Sequence, residues 1–260
     1  MSKLRQVWEA GEAAHGAWLS LPGPHSAEIV ARAGFDYVCV DMQHGLSGYA
    51  DAIAMLQAIS LGDSTPVVRV PWNEQGIIGR MLDGGAMGII IPMVNTVADA
   101  EAAVRSCRYA PDGARSFGPM RAAVQEGPGY YASANTEVAC IPMIETTEAL
   151  ENLDDILAVP GVDAVYVGPA DLSITLGLPP GNNDDDDGFT SALQRIAATA
   201  TDRGVVPGIH ANAPLAPKRR EQGFRMITVS SDAIALRSGV LADLRSAREG
   251  TATGDAKAVY

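Results

Sequence analysis

Charged residues stand where four apolar runs stop. Val38-Cys39-Val40 ends at Asp41, with His44 and Gly45 just beyond. Val67-Val68 ends at Arg69, Ile141-Pro142-Met143-Ile144 at Glu145, and Val165-Tyr166-Val167 at Gly168-Pro169-Ala170-Asp171. Each run has the composition of a strand buried on both faces, so each delivers its charged group at a strand end. Glu145 and Asp171, on successive strands, repel one another unless something positive lies between them. Oxygen ligands without Cys or His suit a hard cation, Mg²⁺ or Mn²⁺, completed by water and substrate oxygens. The structural alternative is that Glu145 caps the next helix and Asp171 turns a loop. Arg69 interrupts an apolar strand and needs an anionic partner, because a buried unpaired guanidinium is costly. It either makes a structural ion pair or holds a carboxylate or a developing enolate. Asp41 and His44 form an acid–base pair in which the carboxylate can orient the imidazole and raise its basicity. His210, closing Gly208-Ile209-His210, is a further candidate to line the pocket.

Other chemistries are disfavoured by composition. The lysines are Lys3, Lys218 and Lys257, and none closes a strand, so a Schiff-base mechanism lacks its desolvated amine. No Gly-rich phosphate loop follows a strand. The acidic run at 184–187 lacks the alternation of a calcium loop and reads as a solvated loop at a helix N-terminus.

These residues need a scaffold that brings strand ends together. The chain has 260 residues, 47% hydrophobic and 19% charged, enough for one large α/β core. Its net charge of −12 argues against a nucleic-acid binder. No apolar run reaches the ~20 residues of a membrane span, and the N-terminus lacks a signal-peptide pattern. Cys39, Cys107 and Cys140 show no CxxC spacing, which argues against a disulfide framework and points to a cytoplasmic protein; Cys39 and Cys140, inside apolar strand runs, read as small core residues.

Strands are expected at 16–21, 36–40, 65–70, 88–94, 138–144, 163–167, 205–209 and 226–229. Helices are expected at 4–14, 25–33, 49–60, 73–82, from Thr96 to 109, from Thr146 or Thr147 to just before Pro160, and at 189–203, 214–222 and 232–249. Residues 111–135, rich in Gly and Pro, read as a long excursion between strands four and five, and 250–260 as a tail. Eight short apolar strands alternating with helices, without a linker, predict a single-domain TIM (β/α)8 barrel; an open doubly wound sheet is the alternative. In a barrel the strand ends share one rim, where active sites lie.

With those residues assembled, the chain resembles the HpcH/HpaI family of metal-dependent class II pyruvate aldolases. The resemblance runs from Trp18 to about Glu249 and is carried by Asp41-Met42-Gln43-His44, Val67-Val68-Arg69-Val70-Pro71-Trp72-Asn73, Leu82-Asp83-Gly84-Gly85-Ala86, Ile144-Glu145-Thr146 and Val167-Gly168-Pro169-Ala170-Asp171-Leu172-Ser173. It implies reversible cleavage of a 4-hydroxy-2-keto acid to pyruvate or hydroxypyruvate plus an aldehyde. Glu145 and Asp171 would bind a divalent cation (Mg²⁺, Mn²⁺ or Co²⁺), Arg69 would stabilise the enolate, and His44 would be the base, supported by Asp41. Asp83 would support that base across a subunit interface of a homo-hexamer built from two trimers. Gly168, Pro169, Ala170, Trp18 and His210 would contact substrate. Three positions depart from the family's common residues: Gln43 where Glu is frequent, Met143 where Gln is, and His210 where an apolar residue is. They point to a reshaped pocket. An acyl-CoA lyase, with Arg105, Arg108, Arg115 and Arg121 as a basic groove, and a non-catalytic keto-acid sensor are the alternatives.

Overall fold

The structure is a computed structural model that describes residues 1–250; the tail expected at 250–260 lies, past its first residue, outside the described residues. Helix α1 (Lys3–Glu9) leads into β1 (Ala14–Leu19), α2 (Pro24–Ala31), β2 (Tyr37–Asp41), α3 (Tyr49–Ile59), β3 (Thr65–Arg69), α4 (Gln75–Asp83) and β4 (Gly88–Ile91). Then come α5 (Val97–Cys107), α6 (Ala122–Glu126), α7 (Tyr130–Glu137), β5 (Ala139–Pro142), α8 (Thr147–Glu151), α9 (Leu153–Leu157), β6 (Ala164–Val167) and α10 (Pro169–Thr175). The last elements are α11 (Asp187–Asp202), β7 (Val206–His210), α12 (Ala216–Glu221), β8 (Met226–Ser231) and α13 (Asp232–Glu249). Every strand pairs in parallel, in the order β5-β4-β3-β2-β1-β8-β7-β6. The result is a nearly closed (β/α)8 barrel, as the alternation predicts.

The circle is completed between β5 and β6, and there the ladder is thin. The two strands meet through one bridge, Met143 to Tyr166, with Ile144 N–H bonded to Tyr166 O at 2.9 Å. The cause lies in the sequence. Alternate β5 amides face opposite neighbours: Ala139 and Met143 donate toward β4, whereas Cys140 and Ile144 donate toward β6. Pro142 falls on the β6 side and has no N–H to give. Below this seam, Asp163 accepts from Arg5 Nη2 (2.8 Å), Arg108 Nη2 (2.6 Å) and Cys140 N–H (2.8 Å), tying the bottom of the barrel together.

Strand alternation separates two cores. Cys39, Val67, Ile90, Ile141, Tyr166 and Met226 fill the barrel interior. Their neighbours Val38, Val40, Val68, Ile89 and Val165 pack outward on the helices. All three cysteines are free and buried, Cys39 and Cys140 as expected and Cys107 with them. Among the described residues no helix is long and apolar enough to cross a membrane.

Several boundaries differ from expectation. Helix α1 stops at Glu9 because Gly11, at φ 74°, turns the chain, so β1 starts at Ala14. The helix expected after Thr146 breaks at Asn152 into α8 and α9. Thr146, not Glu145, caps it, its hydroxyl accepting from Ala149 N–H at 3.0 Å. Thr96 caps α5 as predicted. The excursion holds α6 and α7. The acidic run serves α11: Asp186 is its N-cap and Asp187 lies in its first turn, while Asp184 pairs with Lys218 and Arg219.

Candidate active site

The period of two that fills the barrel also aims the site. Cys39 and Val67 point inward, so Asp41 and Arg69, two residues on, do as well. The same count from Ile141 and Met143 reaches Glu145, and from Tyr166 it reaches Gly168. A cavity of about 260 Å³ opens at this end of the barrel, lined by Trp18, His44, Arg69, Met143, Tyr166, Gly168, Pro169, Ala170, Asp171, Gly181, Asn182 and His210. Other grooves are larger; one of them, about 460 Å³, lies at the opposite end, against the start of β3 and beside Lys3 and Glu137. Those two charges are occupied, by Asp36 and by the chain's first residues.

Asp41 and Arg69 are register partners on β2 and β3 and pair side by side. Arg69 Nε donates to Asp41 Oδ1 at 2.9 Å and Nη2 to Oδ2 at 2.7 Å. Both are buried, at 2% and 9% exposure. Burial alone would raise the Asp41 pKa, but the hydrogen bonds and charge of Arg69 outweigh it and hold the carboxyl below its usual value. The guanidinium also lies 4.9 Å from the centre of the Trp18 ring. Asp41 Oδ1 further accepts from the backbone N–H of Gln43 (3.0 Å) and His44 (3.3 Å). The expectation that Asp41 orients the His44 imidazole is therefore corrected: its carboxylate holds Arg69 and shapes the turn that carries His44. That turn needs Gly45, where a Cβ would come within 2.1 Å of Asp41 O.

Glu145 is the most constrained group. It is 1% exposed, and its Oε1 accepts from Met93 N–H at 2.9 Å. Met93 presents that N–H from a left-handed backbone, φ 56°, rare and strained for a side chain of its kind. Oε2 is buried without a partner. Burial pushes the carboxyl up to about 7; the Asp171 charge adds to this, against the Met93 N–H and Arg69. Gly168 keeps the space in front of it open, since a Cβ there would stand 2.4 Å from Oε2. Asp171, half-buried in the first turn of α10, lines the cavity. An orphaned carboxylate oxygen, a second carboxylate beside it and bare backbone in front fit a divalent cation. Among the described residues no cluster of three or more His, Cys, Asp or Glu groups offers a ready-made cage, so the chain supplies two carboxylates.

The opposite wall is aromatic and uncharged. Trp18 stacks on Tyr166 at 5.7 Å and meets His210 edge-on at 5.0 Å. Burial, reinforced by Arg69, lowers the His210 pKa to about 4, so the imidazole is neutral near pH 7. Beneath it Thr228 bonds the hydroxyls of Tyr37 and Tyr166, which seals the floor.

Of the residues singled out from sequence, Trp18, His44, Arg69, Gly168, Pro169, Ala170, Asp171 and His210 share this cavity, with Asp41 and Glu145 behind it. Asp83 does not. It ends α4 in a neighbouring pocket with Gln75, Arg80 and Arg115, and pairs with Arg115 at 2.8 Å. Sequence reasoning missed Met93, whose contribution is a backbone N–H that no side chain advertises. It also missed Asn182, because its loop reads as a plain turn; the only signal was an arginine, Arg219, far along the chain.

Residues 15–238 match the family described as HpcH/HpaI aldolase/citrate lyase. A hydroxypyruvate/pyruvate aldolase from Rhizorhabdus wittichii is 40% identical over 250 residues, covering 95% of this chain and 100% of that protein. A 4-hydroxy-2-oxo-heptane-1,7-dioate aldolase from Klebsiella pneumoniae is 37% identical, covering 99% and 98%. Among solved structures, an HpcH/HpaI aldolase/citrate lyase family protein from Burkholderia cenocepacia superposes with a TM-score of 0.88 at 36% identity, covering 95% and 100%. The match takes in β1 from its second residue, β2 to β8 in full and every strand-end residue described above, and the chain belongs to the HpcH/HpaI aldolase/citrate lyase family.

Proposed function

We propose that this chain is a class II aldolase that reversibly cleaves 4-hydroxy-2-keto acids to pyruvate or hydroxypyruvate plus an aldehyde. The observation that carries the reading is the partnerless, buried Glu145 Oε2 beside Asp171, at a cavity shared with Arg69 and His44. The names of the two aldolase relatives support it. A divalent cation (Mg²⁺, Mn²⁺ or Co²⁺) held by Glu145 and Asp171 supplies Lewis acidity toward a 2-keto acid.

The chain's own groups do the rest. Bare backbone at Gly168 and Ala170 leaves room for the keto acid's carboxylate. In cleavage His44 takes the proton of the 4-hydroxyl. The C3–C4 bond breaks, its electrons move to the 2-keto oxygen, and the aldehyde leaves. Arg69, fixed by Asp41, faces the negative charge that develops on that oxygen. His44 then returns the proton to C3. Trp18 and Tyr166 exclude water from one side.

Asp83 reaches such a site only from another copy. Assembly is supported by α13, which buries none of its residues and exposes Ile234, Leu236, Val240, Leu241 and Leu244. We infer a homo-oligomer, a hexamer of two trimers. Three free buried thiols support a cytoplasmic setting. The acyl-CoA reading is weakened because three of the arginines it needs are engaged internally: Arg108 by Asp163, Arg115 by Asp83, and Arg121 by the carbonyls of Leu56 and Gly84.

The test is exchange of pyruvate methyl protons with deuterium. Chelator-treated protein is expected to lose exchange and regain it with Mg²⁺, Mn²⁺ or Co²⁺, and borohydride with pyruvate traps no adduct. Full exchange in metal-free protein, or a trapped lysine, refutes the reading.

A further inference from the structure

Behind the β6 side of the cavity stands Arg219, on α12, with no exposed surface. Its Nη2 donates to Asn182 Oδ1 at 2.9 Å, its Nη1 donates to Gln222 Oε1 at 2.8 Å, and Asp184 lies 2.8 Å away as its ion-pair partner. The loop that carries Asn182 is pinned from the other side as well. Ser173, buried in α10 two residues past Asp171, donates its hydroxyl to Gly181 O at 2.8 Å. Asn183 Nδ2 bonds Ser173 Oγ at 2.8 Å and Pro179 O at 2.7 Å. Gly181 and Asn182 are thus held as part of the cavity wall, next to His210 on the following strand.

The clamp fixes more than position. A guanidinium has only N–H groups to offer, so it accepts just one face of an amide, the oxygen. With its oxygen taken by Arg219, Asn182 has only its amide N–H groups to offer a ligand in the cavity it lines. Among the described residues that line the cavity Arg69 is the one Lys or Arg side chain, and it is paired with Asp41. The far wall offers a hydrogen-bond donor without a charge.

We propose that Asn182, oriented by Arg219, is the specificity-determining residue for the aldehyde, and that it selects short aldehydes bearing a neutral oxygen, a hydroxyl above all, over alkyl or carboxylate-bearing ones. Asn182 N–H donates to that hydroxyl oxygen. Arg219 is a positioning residue that keeps the amide from turning over. This rests on the aldolase reading.

The experiment compares kcat/KM for condensation of pyruvate with glycolaldehyde, propionaldehyde and succinic semialdehyde, using Mn²⁺-loaded enzyme. Glycolaldehyde and propionaldehyde differ only by a hydroxyl in place of a methyl. The wild type is expected to favour glycolaldehyde over both others by about 10-fold or more, the worth of one well-placed hydrogen bond. Asn182→Ala and Asn182→Leu, which remove the amide hydrogens and offer no acceptor in their place, collapse the glycolaldehyde-to-propionaldehyde ratio to about threefold or less, the loss falling on glycolaldehyde. Arg219→Lys, still able to hold Asn182 Oδ1, retains the preference. Arg219→Met lowers it; should that variant fail to fold, the Asn182 pair decides. A wild type without the preference, an Asn182 variant that keeps it, or equal losses on both aldehydes overturns the proposal. Pyruvate proton exchange in the wild type, run alongside, isolates the premise: its absence overturns the aldolase reading and this proposal with it.

Discussion

Replacing Asp41 by asparagine tests the joint on which the site depends. The carboxylate meets Arg69 through two charge-assisted hydrogen bonds, 2.9 and 2.7 Å, with both partners buried. An Asp41→Asn amide that keeps its oxygen at the Oδ1 position still serves Arg69 Nε and the Gln43 and His44 amides, but it sets an NH₂ against Arg69 Nη2, donor facing donor. Removing one partner of a buried ion pair costs about 3–5 kcal/mol, and the retained oxygen places this change near 3 kcal/mol. For a chain of this size that is a fall of roughly 6–12 °C in Tm. Arg69→Met removes the charge that would be left unpaired, so in the double variant the penalty is not incurred twice. A double-mutant cycle by urea unfolding is expected to give a coupling energy of about 2–3 kcal/mol. Pyruvate methyl-proton exchange in Asp41→Asn should fall by roughly 10²-fold, because a loosened guanidinium no longer meets the developing charge. Additivity within about 0.5 kcal/mol, or near-normal exchange, would refute the view that Asp41 acts through Arg69.

Two further expectations follow from buried charge. His210 takes up a proton near pH 6.5 when unfolded but only near 4 when folded, so the unfolded chain binds more protons in that window. Its contribution is complete above pH 6.5 and is lost as pH falls toward 4, on the order of 3 kcal/mol. His210→Gln should flatten that part of the pH–stability curve, and identical slopes in variant and wild type would contradict the assignment. At the other end of the barrel, Asp163→Asn weakens bonds to Arg5, Arg108 and the Cys140 N–H. It should cost about 2–4 kcal/mol in urea unfolding while proton exchange at low temperature stays within about twofold, and a large loss of exchange without loss of stability would place Asp163 in the wrong role.

The parts of the molecule that were legible in the sequence are those decided by local pattern. Runs such as Val67-Val68 and Val165-Tyr166-Val167 are apolar on both faces, which only a covered parallel strand needs, and their count gave the barrel and its rim. Glu145, Asp171 and Arg69 stood out because a charge ending such a run demands an explanation. What stayed hidden depends on distant partners. Asp41 lies three residues from His44 but pairs with Arg69, 28 positions away, because strand register overrides nearness in sequence. Asn182 looks like any turn residue until Arg219 is placed behind it. The break of the expected helix at Asn152 and the short α10 are matters of a few backbone hydrogen bonds, below the reach of periodicity.

The thin ladder between β5 and β6 gives the site a mechanical meaning. A barrel is a strip of sheet bent until its ends meet, and here the ends are β5 and β6, where Pro142 leaves a stitch out. Glu145 follows one end and Asp171 the other. Anything that bonds both carboxylates is also a clasp across the join, so occupancy of the site and closure of the hoop draw on the same free energy. The Asp171 charge adds to the raised pKa of Glu145, so a ligand that met both carboxylates would relieve that repulsion as well as hold the two ends together.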